Sequence, residues 1–308
     1  MVRSQMVASE IAFLTPYWSG ADMMRLHLAS IRAFHPRALI LVSKRGGAGE
    51  LPSLAREFNV RYWVEDCGYT DAYLRLLQRC PTRFVCILDH DAVLLSSLDP
   101  LIAKVADGTT DLVGVEERIR VPPRLGKAAS WPAGWLRYAP GCTASNVLIF
   151  DWQAFERRWG LRGVFGTPPP EGQHFDFDYG IGQRLTRHHY LKPYHAPRYG
   201  LGNLLKDGDT AVAWHQWYGS FRTRLSPMHD AEVHAIVEAG EQAFVRDYPN
   251  LDLDVLSPAW GPADDAPPPG PPPGLAVRAR RQASYQWRAL ATRVKVAFER
   301  PSRGANPA

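Results

Sequence analysis

The first 115 residues alternate short apolar runs with segments of helical spacing, and this alternation restricts the possible folds more than any other feature. The apolar runs are predicted strands, and the segments between them, with apolar residues three and four positions apart, are predicted helices. The predicted strands are 11–14, 38–42, 60–64, 84–88 and 111–115, and the predicted helices are 22–34, 51–58 and 70–80. This order predicts a mainly parallel sheet with right-handed crossovers, which binds ligands at the carboxyl ends of its strands.

The apolar run 84–88 leads directly into Asp89-His90-Asp91, where one residue separates two acids. Side chains alternate along an extended strand, so an extended segment would place both carboxylates on one side and His90 on the other. Two like charges at the end of a buried strand are unfavourable unless a cation holds them, and carboxylate oxygens suit Mg²⁺ or Mn²⁺. We therefore predict a divalent metal site at Asp89 and Asp91, with a solvated acidic turn as the alternative.

Residues 88–101, with an apolar stretch after the two acids and then Asp-Pro-Leu, resemble the DxD segment of GT-A nucleotide-sugar glycosyltransferases. The resemblance implies an α/β fold of the GT-A type, with a mainly parallel central sheet flanked by helices. Such a fold has a Rossmann-like nucleotide-binding half and an acceptor half. It also implies that the two acids hold Mn²⁺ or Mg²⁺ against the donor diphosphate, where the metal stabilises the leaving charge. Thr15 and Tyr17, at the end of the first strand, are expected to bind the donor.

Two later segments follow the order of motifs in this family. Asn146, at the start of a predicted strand 146–151, resembles the asparagine turn that contacts the donor sugar; an ordinary turn residue is the alternative. His215 follows a predicted strand, 211–214, and resembles the third protein ligand of the metal, as a neutral imidazole can be. A histidine packed among tryptophans is the alternative. Gly219 and Arg222 resemble the residues that hold the diphosphate, since a guanidinium suits phosphate.

A pair of acids, Asp176 and Asp178, precedes a predicted helix and resembles the acidic motif of the same family. The resemblance implies that Asp176 accepts the proton of the acceptor hydroxyl, with Asp178 as the second candidate. A helix cap is the alternative for either residue. Phe175 stands where inverting members of the family more often have Glu, so the sequence leaves open whether the enzyme would retain or invert the anomeric configuration.

The acceptor is predicted to be a glycan or a lipid-linked glycan. Trp131 and Trp135 lie in a long predicted loop, 118–141, and are candidates to stack on an acceptor sugar; burial in the core is the alternative. The donor is predicted to be a nucleoside-diphosphate sugar, with UDP preferred over GDP because it is the commoner donor among similar enzymes. The sequence does not specify the sugar.

The positive charge of the chain is concentrated at its C-terminus. Residues 275–308 contain eight basic residues and one acidic residue, so their charge of +7 exceeds the +5 of the whole chain. The slightly acidic remainder predicts no nucleic-acid binding. We expect a catalytic domain at 1–261, a proline-rich linker at 262–274 and a basic amphipathic tail at 275–308.

The tail is predicted to bind an anionic membrane surface through 275–300, with partner docking or a disordered basic tail as alternatives. The sequence contains no continuous apolar run of about eighteen residues. Its first residues do not read as a signal peptide. A cytoplasmic protein, peripheral at the inner face of the cell membrane, is therefore expected. The four cysteines form no CxxC pair, which favours reduced, buried thiols.

Two other functional classes stay open from the sequence. Residues 89–93 also fit the nucleophile motif of haloacid-dehalogenase-type phosphatases. That motif lies late in this chain, however, and the further acids that such phosphatases need match only Asp264 and Asp265, inside the proline-rich linker. The third class is a non-catalytic sugar-binding protein that has kept the GT-A fold and binds metal and nucleotide weakly.

Overall fold

The computed structural model describes residues 10–18, 20–65, 67–115, 118–121, 134–137, 144–164, 179–195 and 202–216, with single positions between 235 and 246. The predicted linker 262–274 and tail 275–308 lie outside the described residues. Within the residues that are described, no helix is both long enough and apolar enough to cross a membrane.

The described part of the chain contains twelve strands. They are β1 (Ile11–Tyr17), β2 (Leu39–Arg45), β3 (Arg61–Glu65), β4 (Phe84–Leu88), β5 (Ala92–Leu94), β6 (Leu112–Val115), β7 (Arg118–Val121), β8 (Gly134–Arg137), β9 (Ala144–Asp151), β10 (His188–His195), β11 (Asn203–Asp207) and β12 (Thr210–His215). Ten of these strands form one sheet in the order β3-β2-β1-β4-β9-β6-β10-β11-β12-β5, and β7 pairs with β8 in a separate hairpin.

Six α-helices accompany these strands in the described residues. They are α1 (Ala21–Phe34), α2 (Leu51–Glu57), α3 (Tyr69–Arg79), α4 (Asp99–Ala106), α5 (Trp152–Trp159) and α6 (Tyr179–Arg184), with a short 3-10 helix at Leu161–Val164. The strands and helices predicted before residue 116 are all present, with ends that differ by three residues or fewer. Helix α4 and strand β5 had no counterpart in the prediction.

The sheet is parallel in one half and mixed in the other. Strands β2, β1 and β4 run parallel, as does β3 beside β2, in agreement with the predicted strand–helix alternation. Strand β9 then lies antiparallel between β4 and β6, and β11, β12 and β5 extend the sheet by antiparallel pairing. The mainly parallel sheet expected from the sequence therefore describes the first half only, because an apolar run does not reveal strand direction.

Helices cover both faces of the parallel half of the sheet. In β1, Ile11 and Phe13 pack in the apolar cluster that includes α1, α2 and α4, whereas Ala12 and Leu14 pack in the cluster that includes α3 and α5. All four side chains are fully buried. Strands buried on both faces read as continuous apolar runs, and this explains why 11–14 and 84–88 showed no polar alternation.

Strand β5 lies at the edge of the sheet, and helix α1 covers the side that faces away from β12. Nδ1 of His27 donates a hydrogen bond to the carbonyl of Ala92 at 2.7 Å. The backbone N–H of Leu94 donates to the hydroxyl of Ser30 at 3.0 Å. These side chains satisfy backbone groups that an edge strand otherwise leaves open. Helix α1 therefore fixes the strand that follows the two acids.

Candidate metal centre

Asp89 and Asp91 lie in a tight turn between β4 and β5. The backbone N–H of Ala92 donates to the carbonyl of Asp89 at 2.9 Å, which closes a four-residue turn. The extended geometry expected for this segment is thus replaced by a turn, and the turn brings both carboxylates to one place. The ring of His90 packs edge-on against Tyr17, with centroids 5.7 Å apart.

Strand β12 brings His215 to the same turn. His215 lies opposite Ala92 in the antiparallel pairing of β12 with β5, and the next N–H, of Gln216, donates to the carbonyl of Asp91 at 2.9 Å. As a result, Nε2 of His215 lies 3.1 Å from Oδ1 of Asp91 and 3.6 Å from Oδ2 of Asp89. Two distant parts of the sequence, the turn with the two acids and the end of β12, therefore form one cluster.

The three side chains fit a divalent metal ion. One ligand atom from each of Asp89, Asp91 and His215 lies within 4.8 Å of the others. In octahedral coordination at about 2.1 Å, adjacent ligands are about 3.0 Å apart, close to the two distances from the imidazole nitrogen. Two carboxylate oxygens with one imidazole suit Mn²⁺ or a similar ion. The side chain of Asp89 is 15% exposed, which leaves the cluster open on one side.

Two tyrosines orient the carboxylate of Asp89. The phenol groups of Tyr69 and Tyr73 both donate to Oδ1 of Asp89, at 2.6 and 2.7 Å. The two tyrosines are four residues apart on α3 and therefore lie on one face of that helix. With Oδ1 held by both phenols, Oδ2 is the oxygen that faces His215.

The cluster concentrates negative charge in a buried place. Burial, together with the charge of Asp91, raises the pKa of Asp89. For His215, burial opposes the charged imidazolium, but the carboxylates of Asp91 and Asp89 outweigh it, and the net effect raises its pKa. Burial and the charge of Asp89 raise the pKa of Tyr73 well above its usual value, so this phenol is a neutral donor. A divalent cation would relieve the repulsion between the two carboxylates that helps to raise the pKa of Asp89.

Asn146 contacts His215. Strand β9 lies beside β4, with Val147 opposite Leu88, so Asn146 lies next to the start of the turn. The side-chain amide nitrogen of Asn146 is 3.0 Å from Nδ1 of His215. Asn146 was expected to bind the donor sugar, and that role stays a prediction. The described contact is with the imidazole.

Thr15 and Tyr17 end the first strand and are fully buried. The hydroxyl of Thr15 lies 2.9 Å from Nε2 of His27. The phenol of Tyr17 donates to Glu50, and its ring lies 4.6 Å from Nζ of Lys44. In the structure, both side chains contact other residues of the same chain. Their contact with the donor nucleotide stays a prediction.

Several predicted site residues lie outside the described residues: Trp131, Asp176, Asp178, Gly219 and Arg222. Helix α6 begins at Tyr179, directly after Asp178, where the sequence predicted a helix. Trp135 lies on β8, opposite Arg120 of β7, in a region predicted to be a loop.

The sequence did not lead to a predicted role for the two tyrosines that contact Asp89. Tyr69 and Tyr73 flank the start of the predicted helix 70–80, which leads into the strand of the two acids. In a strand–helix–strand unit, the helix begins at the edge of the sheet where the preceding parallel strand ends. Two phenols four residues apart in the first turns of that helix are therefore placed beside Asp89, and this spacing was the available signal.

Loss of these phenols is expected to weaken metal binding. Tyr69→Phe and Tyr73→Phe each remove one hydrogen bond that orients Asp89, so the Kd for Mn²⁺ should rise about 10-fold, and further in the double variant. Isothermal titration calorimetry measures this change. Tyr62→Phe, on β3 and packed against the opposite apolar cluster, is the matched control. An unchanged Kd in a folded double variant would show that the phenols do not orient the ligand.

A scan of the sequence against models of protein families gives no match, and a search of curated proteins gives none either. Among solved structures, the chain is similar to the mannosyltransferase PcManGT from Pyrobaculum calidifontis in complex with GDP-Man and Mn²⁺, at 15% identity and a TM-score of 0.43. The alignment covers 94% of this chain and 88% of that one. It is also similar to a 1–349 fragment of S. aureus TarS, at 10% identity and a TM-score of 0.43, over 79% of this chain and 74% of that one. At such low scores, these similarities do not identify the activity.

Proposed function

We propose that this protein is a metal-dependent glycosyltransferase that moves a sugar from a nucleoside-diphosphate sugar to a hydroxyl acceptor. The observation that carries the proposal is the buried cluster of Asp89, Asp91 and His215, reached from the carboxyl end of β4. Ligands of α/β sheets bind at this edge, and the donor set suits a divalent ion. The resemblance of residues 88–101 to the DxD segment supports the same reaction.

In this mechanism, Asp89, Asp91 and His215 would hold the metal, with Oδ2 of Asp89, Oδ1 of Asp91 and Nε2 of His215 as the ligand atoms. When bound, the ion supplies positive charge to the diphosphate leaving group. Tyr69 and Tyr73 keep the carboxylate of Asp89 in one orientation, so that its free oxygen needs no rearrangement when donor binds. Burial of Asp91 and His215 limits competing water on their side of the cluster.

The remaining roles are part of the proposal and rest on sequence motifs. Asp176, or else Asp178, takes the proton from the acceptor hydroxyl. The other proposed contacts are with the donor (Thr15, Tyr17, Asn146, Gly219, Arg222) and with an acceptor sugar (Trp131, Trp135). We further propose a UDP-sugar donor and a glycan or lipid-linked acceptor. The +7 charge of residues 275–308 supports binding of the tail to an anionic membrane at the cytoplasmic face.

Donor hydrolysis tests the proposal without knowledge of the acceptor. Purified protein incubated with Mn²⁺ and a panel of UDP- and GDP-sugars should slowly release nucleoside diphosphate from one donor, because water substitutes for the missing hydroxyl acceptor. EDTA should stop the release, and added Mn²⁺ should restore it. Coupled detection of nucleoside diphosphate measures the rate.

Two outcomes would replace the proposal with one of the other classes. Release of phosphate from simple phosphate monoesters, with no release of nucleoside diphosphate from any donor, would indicate a phosphatase. Binding of a nucleotide sugar without turnover, with or without candidate acceptor glycans, would indicate a non-catalytic sugar-binding protein.

A further inference from the structure

The imidazole of His215 lies between two hydrogen-bonding groups that decide which ring nitrogen carries the proton. Nδ1 lies 3.0 Å from the amide nitrogen of Asn146, and Nε2 lies 3.1 Å from Oδ1 of Asp91. An amide nitrogen can only donate, so Nδ1 accepts, and the proton of the neutral ring is on Nε2, directed at Asp91. In this tautomer, Nε2 has no lone pair for a metal.

A half-turn of the Asn146 amide favours the other tautomer, in which Nε2 has lost its proton to water and Nδ1 has gained one from water. The amide oxygen and nitrogen are nearly equal in size, so they can exchange places without any change in packing. The oxygen would then accept a hydrogen bond from Nδ1–H of His215, and Nε2 would have its lone pair free. Both residues are buried, at 6% and 2% exposure. Among the described residues, Asn146 is the side chain that contacts Nδ1 of His215.

We propose that Asn146 is a positioning residue that selects the tautomer of His215, donating to Nδ1 in the metal-free protein and accepting from it when a metal is bound. This inference rests on the metal site of the proposed function. This role is additional to the proposed contact of Asn146 with the donor, because it concerns the hydrogen bond between the amide and the imidazole of His215. Partners of this kind typically change metal affinity 10- to 100-fold.

Two substitutions at this position separate the proposed role from simple packing. Asn146→Asp offers only acceptor oxygens at neutral pH, so it should hold the proton on Nδ1 of His215 even without metal. Asn146→Leu keeps a similar volume but offers no hydrogen bond. We expect the Kd for Mn²⁺ to rise 10- to 100-fold in the leucine variant and to stay at or below the wild-type value in the aspartate variant.

The decisive measurement is the tautomer itself, by nitrogen NMR of ¹⁵N-histidine-labelled protein, read in each variant on the neutral-imidazole side of its own NMR titration. The metal-free wild type should show the proton on Nε2 of His215, and Zn²⁺, as a diamagnetic probe, should move it to Nδ1. Metal-free Asn146→Asp should already show it on Nδ1. A proton that stays on Nε2 in that variant, or a wild-type Mn²⁺ affinity in Asn146→Leu, would overturn the inference.

The two proposals fail in different ways. If Mn²⁺ binds with the expected dependence on Asn146 but no donor is hydrolysed or transferred, the proposed function falls and the role of Asn146 stands. If the wild type binds no Mn²⁺, both proposals fall, because the inference requires Asn146 to act on a metal ligand.

Discussion

Asp91→Asn is expected to reduce metal-dependent release of nucleoside diphosphate by about 10³-fold or more. The substitution removes one of the two carboxylates of the cluster, and a neutral amide oxygen cannot supply the charge that holds a divalent ion against a diphosphate. The fold should persist, because loss of the Asp91 charge relieves its repulsion with Asp89 while it also removes an acidic partner of His215. These two effects oppose each other, so the free energy of unfolding without metal should stay close to the wild-type value. Steady-state kinetics and urea denaturation measure the two quantities.

The matched control for this variant is Asp99→Asn. Asp99 opens helix α4, eight positions further along the same segment, and Oδ1 of Asp99 lies 3.6 Å from Nδ1 of His35, whose pKa is lowered by burial. This change removes a carboxylate of the same segment without touching the cluster, so activity should stay within a few-fold of wild type. Full activity of Asp91→Asn, or an equal loss in both variants, would show that the metal site takes no part in the reaction.

The free energy of unfolding is expected to fall by about 3 kcal/mol between neutral pH and pH 4 because of His27. Complete burial lowers the pKa of His27 from 6.5 to about 4, although the hydrogen bond to Ala92 partly opposes the shift. Between these values the unfolded chain binds a proton that the folded chain excludes, so stability rises with pH across this interval and is lost as the pH falls through it. Above it, both states are neutral at this residue and the effect ends.

Denaturation of wild type and His27→Gln at a series of pH values isolates this contribution. Glutamine can still donate to the carbonyl of Ala92 but does not titrate, so the difference between the two curves should vary with pH in the interval from 4 to 6.5 and be constant above it. Parallel curves throughout would mean that His27 takes up its proton in the folded protein as readily as in the unfolded chain.

The periodicity of the sequence was sufficient for the first half of the fold. Strands such as Phe84–Leu88 are buried on both faces, and the helices between them carry clear apolar stripes, so both could be recognised locally. Local patterns did not predict that β9 inserts antiparallel between β4 and β6, nor did they predict the strands β10 and β11. The direction and the partners of a strand depend on contacts between distant segments. Strand β5 was not predicted as a separate strand, because its apolar residues resemble a continuation of β4 beyond Asp89 and Asp91.

The three residues of the cluster were candidates from the sequence, but its geometry and the two tyrosines beside it were not predicted. The sequence placed Asp89 and Asp91 together by strand alternation, whereas a turn brings them together in the fold. His215 was selected by motif order, and pairing of β12 with β5 brings it to within 3.1 Å of Asp91. The contact between Asn146 and His215 could not be read from the sequence, because it depends on which strands lie next to β4 and β5.

The edge position of β5 has a consequence for the chain while it is being synthesised. Helix α1 precedes β5 and can cover one side of it early, but the strand that pairs with its other side, β12, begins only at Thr210. Until then, a growing chain that folds from its N-terminus presents an unpaired strand edge beside two buried acids. We expect that edge to be open to aggregation or chaperone binding until pairing with β12 closes it and brings His215 to the acids.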